Sequence, residues 1–406
     1  MKILHVLPSL SAKHGGPSAA MPALAHALRE ADVEVTVVST DDDGPGMHLQ
    51  VPLGSEIRGQ GGARHLYFRK NTEFYKVSFQ LWHWLVNHVT EFHVVHIHAL
   101  FSYSSIAAAV IARRRRVPYV IRPLGVLNRW GMANRRPILK KLSLRWIELP
   151  LLRSAAAMHY TSQAEQLEAR FAHPAIASLP SAVIPLAIEA ANQSAESAQF
   201  FAKFPEASGR QIVLFLSRLH PKKGLELLLE AFARVRSKVG SALLVIAGEG
   251  TAGYTASLRA RANALNLSRD IVWTGFLGGD DKAAAFAAAT IFVLPSFSEN
   301  FGMAALEALA AGVPVILSDQ VALSDEIRDA DAGLVAPCEV APFAEKIVTL
   351  LLDPELRQRF GTNSRRLVQE RFSTQVVGRA LKELYQRCTP PKFPASPQQD
   401  EPRFFC

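Results

Sequence analysis

Short unbroken apolar runs, each trailed by a loop and a stretch with helical spacing, repeat along this chain. "KILHVLP" opens the series at residue 2, followed by the Gly/Pro loop "SAKHGGP", the helix-spaced "SAAMPALAHALREA" and the strand-like "VEVTVVST". Apolar residues three and four apart mark the helix, and runs rich in β-branched residues mark the strands. Strand, loop, helix and strand in this order and length predict a parallel pair joined by a right-handed crossover. Further strands are expected at "HVVHIHA" and "VPYVIRP", with helices around residues 75–89, 103–113 and 138–152. "AAMHYTS" then precedes a helix from about Gln163, and "SAVIPLAI" closes this half.

Residues 190–210, "AANQSAESAQFFAKFPEASGR", read as a polar, irregular connector. A second α/β series follows, with strands at "QIVLFLSRL", "ALLVIAGEG", "IVWTGFL", "IFVLPSF" and "VPVILSD". Later helices are expected at "PFAEKIVTLLL" and "PELRQRFGTNSRRLVQERFS". The fold class predicted is α/β, two successive doubly wound halves, with ligands beyond the carboxyl ends of the strands. The boundary falls at residues 188 and 189, and the second half runs to 372. The Pro-rich polar tail over 389–406 is expected to be flexible.

A length of 406 residues exceeds one comfortable hydrophobic core, in agreement with two domains. The balance of 49% hydrophobic and 20% charged residues is that of an ordinary globular protein. Cys338, Cys388 and Cys406 show neither a pairing pattern nor metal-ligand spacing, which suits a reducing compartment. The first residues lack the apolar core of a signal peptide, and no apolar run approaches the roughly 20 residues of a membrane span. A cytoplasmic location is expected. Net charge is +9, and between Glu91 and Glu148 there is no acidic residue at all. That interval holds "ARRRRVP" and "NRRPILKKLSLRW", with Trp130 and Trp146. Such a bias favours an anionic partner, and arginine and lysine beside tryptophan suit a membrane surface. Zinc spacing and aromatic nucleic-acid signatures are absent, so no nucleic-acid partner is expected.

Candidate chemistry collects in the predicted loops. In "SENFGMAALEAL" a helix is expected to begin near Asn300 or Phe301, with Glu299 just outside and Glu307 about two turns in. Unpaired amides and the helix dipole make such a start an anion site. Gly302 removes a side chain where a ligand approaches. Carboxylates on either side of it suit a ligand with hydroxyls at both ends of a diphosphate, which describes a nucleotide sugar; a capping Glu299 and a solvated Glu307 are the alternative. In "SRLHPKKG", Arg218, Lys222 and Lys223 stand at a strand's end beside a helix start, where they could hold that diphosphate. Gly15 and Gly16 offer backbone to a ligand, without the full dinucleotide fingerprint. In "HVVHIHAL", His96 and His98 share one face with His93 opposite. His96 reads as buried and structural; for His98, which ends the strand, a buried structural role and a reach into the cleft both stand open. No third ligand with sensible spacing joins them into a metal site.

With these residues in hand, the chain resembles the retaining, nucleotide-sugar-dependent glycosyltransferases of family four, with their two-domain GT-B fold. Glu299 and Glu307 match the family's E-x7-E pattern, supported by Arg218 and Lys223, the Gly15–Gly16 loop, "VIPLAIE" and "GFL" in order. The resemblance extends to about residue 387 and implies that a helix near 373–388 completes the acceptor-side first domain. It implies that Arg218 and Lys223 hold the donor diphosphate, that Glu299 contacts the sugar, and that Asn300, Phe301, Gly302 and Met303 offer backbone amides. Glu307 would bind ribose hydroxyls, and no metal would be required. Two positions depart from the family: Leu124 in "RPLGVL" stands where histidine is common, and Leu186 where asparagine is usual. His98 and Arg122 then become the candidates for assisting the leaving phosphate.

The expected function is hexosyl transfer from a nucleotide-diphosphate sugar to an acceptor hydroxyl, on a lipid-linked saccharide in surface polysaccharide (exopolysaccharide) assembly. The protein would sit peripherally on the inner face of the plasma membrane. The alternatives are a nucleotide-sugar epimerase or phosphorylase on the same scaffold, or a basic membrane- or nucleic-acid-binding module with a vestigial donor site.

Overall fold

The computed structural model describes residues 1–11, 13, 16–133, 136–189 and 196–389. The first sheet is built from β1 (Lys2–Ser9), β2 (Glu34–Thr40), β3 (Ile57–Arg58), β4 (Arg64–Phe68), β5 (Val94–His98), β6 (Tyr119–Arg122), β7 (Ala157–Tyr160) and β8 (Ser181–Val183). Their order is β3-β4-β2-β1-β5-β6-β7-β8, parallel throughout except for the edge strand β3. The second comprises β9 (Gln211–Leu216), β10 (Ala242–Ala247), β11 (Ile271–Gly275), β12 (Ile291–Leu294), β13 (Val315–Ser318) and β14 (Gly333–Ala336). It is parallel in the order β11-β10-β9-β12-β13-β14. Helices cover both faces of such sheets, so their strands read as unbroken apolar runs, and β10 and β12 are buried at every position.

Three strands escape the apolar-run pattern: β3 is two residues long, β4 carries Arg64 and His65, and β14 opens on glycine. The irregular connector also needs correction. Residues 190–195 lie outside the described structure, but Ser197–Lys203 is a helix. Its phenylalanines explain it: Phe200 is buried in the second core, with the tilted ring of Phe204 centred 4.9 Å away. Lys203 and Gln199 on the polar side meet Asp281.

Strand order reverses between β1 and β5 in one sheet and between β9 and β12 in the other. Ligands of doubly wound sheets bind at the carboxyl ends beside this switch point. Those ends carry the loops after His98, Arg122, Leu216 and Leu294. The last described helix, Thr374–Cys388, returns to the first half and lies on the helix Gly16–Glu30. Gly378 makes the contact possible, since a Cβ there would stand 2.1 Å from the Ala27 carbonyl. Val377, Leu381, Leu384 and Tyr385 thereby join the core of Ile3, Leu24 and Leu28. The expected tail from residue 390 onward, like Gly15 in the first loop, lies outside the described residues.

Candidate functional site

In the second half, the loop after β9 turns through a short 3-10 segment, Pro221–Lys223, capped by His220 Nδ1 accepting from the Lys222 amide at 3.1 Å. Gly224 follows in the left-handed region at φ 70°, and a Cβ there would meet the Pro295 carbonyl at 2.1 Å. Only glycine lets this loop close against the one after β12. The Phe297 amide donates to the Lys222 carbonyl at 2.9 Å across the same seam. Lys223 forms an ion pair with Glu299, both side chains largely enclosed. Burial, with Lys223 and Arg218 nearby, holds the Lys222 ammonium below its ordinary range, against the pull of Glu299 and Glu168. Arg218 itself is exposed at the mouth of the loop.

Glu299 is fixed from behind: its amide donates to Gln320 and its carbonyl accepts from Ala322, both at 3.0 Å. Phe301 is buried against Phe372 and anchors the loop, so its side chain serves the core, leaving its backbone as the group a ligand could meet. The helix starts later than its apolar pattern suggests. Gly302 caps it at φ 93°, and Met303 is the first helical residue of Met303–Ala311. Glu307 is thus little more than one turn inside. It is half-buried and paired with Lys282 at 2.7 Å, a partner 25 residues away that no local motif announces.

The first half meets this loop directly. Asn300 packs so closely on Gly125 that a Cβ on that glycine would come within 2.3 Å of Asn300 Oδ1. Asn300 Oδ1 is enclosed without a partner. The Gly125 amide donates to Glu165 Oε1 at 2.7 Å, while Glu165 Oε2 accepts from the amide and hydroxyl of Thr161, each at 2.7 Å. One buried carboxylate therefore shapes the loop that carries Leu124, itself left-handed at φ 59°. Glu168, one turn further along the same helix, is close enough to Lys222 for their charges to interact across the cleft. Leu186 is buried in the second core.

His96 and His98 are both buried, so the reading in which His98 reaches into the cleft meets a side chain only 1% exposed. The expectation that no third ligand joins them is also overturned. His5, on the neighbouring strand β1, brings its ring to theirs, the three offering nitrogens within 4.8 Å of one another. His159 and Tyr385 complete the cluster beside Arg122. Burial lowers all four imidazoles, His5 and His159 to about 3. Gly16 begins the first helix with open space where a side chain would stand.

Residues 196–367 match the model of glycosyl transferases group 1, and residues 15–186 match that of the glycosyl transferase 4-like domain. The chain belongs to glycosyltransferase family four. This glycosyltransferase chain is 30% identical to the alpha-D-kanosaminyltransferase of Streptomyces kanamyceticus over 43% of its own length and 45% of the relative's. It is 32% identical to the phosphatidyl-myo-inositol mannosyltransferase of Mycobacterium leprae over 48% and 50%. The chain spans about half the length of the curated relatives it matches. Among solved structures, the sucrose-phosphate synthase of Thermosynechococcus elongatus superposes with a TM-score of 0.75 at 20% identity, covering 95% of this chain and 98% of that one. Anabaena HepE, solved with UDP and glucose, gives 0.75 at 19% identity over 95% and 99%. Fold class is thereby GT-B: two Rossmann-like α/β domains facing a cleft.

The first domain of the chain exposes a dense apolar patch. Ile138, Leu139, Leu142 and Trp146 are each at least half exposed on consecutive helical turns. Phe74 joins them, with the Arg136 guanidinium 5.5 Å over its ring and Tyr75 reaching Ser143 at 3.4 Å. Arg145 lies over Trp146 at 5.6 Å. Glu148, which ends the acid-free interval, points inward at 2% exposure and accepts from the Phe101 amide at 2.9 Å. Burial raises its pKa to about 7. Among the described residues, no helix is long and apolar enough to cross a membrane.

Proposed function

We propose that this protein is a retaining glycosyltransferase that moves a hexosyl group from a nucleotide-diphosphate sugar to a hydroxyl of a lipid-linked saccharide, without a metal. The observation that carries the donor reading is the pair of lysine–carboxylate contacts, Lys223–Glu299 and Lys282–Glu307, flanking the start of one helix at the switch point. As the bond to the sugar breaks, negative charge grows on the departing diphosphate. Lys223, with Arg218 and Lys222 around it, meets that charge, and the amides after Gly302 add the helix N-terminus. Phosphate taking Lys223 releases Glu299 to accept hydroxyls of the sugar. Glu307, one turn along, accepts ribose hydroxyls. These cations supply the positive charge that magnesium would otherwise bring. His98 and Arg122, buried at the ends of β5 and β6, are the candidates for assisting departure.

The acceptor half carries the membrane reading. Its apolar patch is ringed by Arg136, Lys141 and Arg145, the composition of a helix that lies in an anionic lipid interface. A peripheral enzyme there meets lipid-linked acceptors of surface polysaccharide assembly. A thermal-shift screen against UDP, GDP, ADP and dTDP in EDTA, repeated on Glu307→Ala, tests the donor site. One nucleotide at a hundredfold excess over its Kd should stabilise by about 2.7 kcal/mol. The shift should vanish in the variant; stabilisation by none of them, or one indifferent to Glu307, would refute the assignment.

A further inference from the structure

His98 ends β5, Arg122 ends β6, and the two are register partners. Arg122 is 4% exposed, yet its guanidinium donates no hydrogen bond and forms no ion pair among the described residues, and its Nε is enclosed without an acceptor. A guanidinium holds five N–H donors and keeps its proton, so burying it unanswered is costly. Glu165, the carboxylate that favours its charge, already engages both oxygens with Gly125 and Thr161. The protein supplies Arg122 with field but no acceptor.

The ring nitrogens beside it follow one direction. His159 Nε2 faces the Ile184 carbonyl at 2.8 Å, so that nitrogen must carry the proton. In a neutral ring Nδ1 then accepts, and its partner at 3.2 Å, His96 Nε2, donates. His96 Nδ1 is left to accept the Tyr385 hydroxyl proton at 2.7 Å. Among the described residues, the Tyr385 oxygen can take a proton only from His5 Nε2, at 3.5 Å. His5 Nδ1 therefore accepts from His98 Nε2 at 2.9 Å. His98 is thus fixed as the Nε2–H tautomer, with a lone pair on Nδ1. A metal at His5, His96 and His98 would break this chain and would stand beside the Arg122 cation.

We propose that Arg122 and His98 form a recognition pair for a glycosyl phosphate, Arg122 donating to an anionic phosphate oxygen and His98 Nδ1 accepting from a sugar hydroxyl. Tyr385, contributed by the last helix, is a positioning residue that sets the His98 tautomer. The proposal deepens the glycosyltransferase reading and rests on it for the sugar, since the phosphate belongs to either the nucleotide-sugar donor or a phosphate-linked acceptor.

Inorganic phosphate and UDP are the probes, in EDTA. Phosphate should stabilise the Arg218→Gln/Lys222→Gln/Lys223→Gln protein, whose cations on the loop after β9 are removed, and adding Arg122→Gln should abolish that shift. No phosphate effect on this triple variant, or one that survives Arg122→Gln, overturns the proposal. UDP affinity of the Arg122→Gln single variant separates the sources: a tenfold loss assigns the anion to the donor, an unchanged Kd to the acceptor. If Arg122→Gln fails to fold, Arg122→Lys keeps the charge without the fork and should weaken phosphate about tenfold. Failure of UDP, GDP, ADP and dTDP alike to bind the unaltered protein would sink the donor reading while leaving the phosphate arms readable. Ring nitrogen spectra of histidine-labelled protein should show His98 as the neutral Nε2–H form, changed in Tyr385→Phe. The opposite tautomer, or joint perturbation of His5, His96 and His98 by zinc, would contradict the assignment.

Discussion

Replacing Glu299 by glutamine should tighten the protein's preferred nucleoside diphosphate while slowing sugar transfer. In the unliganded protein the Lys223 ammonium is already occupied by Glu299, and the two side chains are only 13% and 19% exposed. A diphosphate entering the site has to displace that carboxylate and tolerate its negative charge nearby. Hydrogen bonds to charged groups contribute about 1.5–3 kcal/mol, and the lower end applies to a pair with residual solvent access. Losing about 1.4 kcal/mol of competition corresponds to roughly tenfold tighter binding. Glutamine keeps the shape and the backbone bonds to Gln320 and Ala322, so the loop should hold. Calorimetric titration of that nucleoside diphosphate into Glu299→Gln in EDTA is therefore expected to give a Kd about tenfold lower, with slower turnover of the donor sugar. Weaker binding would refute the reasoning, because it would make Glu299 a ligand of the nucleotide itself.

Three further outcomes are expected. Trp146→Ala and Ile138→Ala should each weaken sedimentation with anionic vesicles about fivefold, from roughly 1 kcal/mol of partial apolar burial per side chain; equal binding by the variants would remove the patch from membrane docking. Glu148 has a folded pKa of about 7, raised by burial, so the folded state binds the proton that the unfolded chain releases above about 4.3. Its contribution to stability therefore falls as pH rises through that window; Glu148→Gln should raise Tm at pH 8 and leave it nearly unchanged near pH 4.5, and a pH-independent effect would contradict the burial argument. Gly125→Ala should cut turnover at least tenfold, since its Cβ would strike Asn300 and its φ is 71°, with circular dichroism separating this from unfolding.

Much of the fold is legible because parallel strands covered on both faces need continuous apolar runs, and those runs are unmistakable in "ALLVIA" and "IFVL". β4 is lost to the same rule, since Arg64 and His65 interrupt it near a sheet edge. The helix at 197–203 is hidden by its short length and polar flanks. At the site, Arg218, Lys223, Glu299 and Glu307 are visible because each stands at a fixed offset from a strand end. Their partners are not. Lys282, Glu165, His5 and Tyr385 meet their partners through chain returns of tens to hundreds of residues, and no local spacing encodes such meetings. The late start of the helix after Gly302 was readable in principle, because a left-handed glycine closes off helical backbone before Met303.

The most direct test of the donor assignment is a structure of the protein with its preferred nucleoside diphosphate, grown in EDTA. The account predicts the diphosphate against Arg218 and Lys223, the ribose hydroxyls at Glu307, and Glu299 turned from its lysine. A nucleotide seated elsewhere, or a Lys223–Glu299 pair left intact beneath a bound diphosphate, would contradict it.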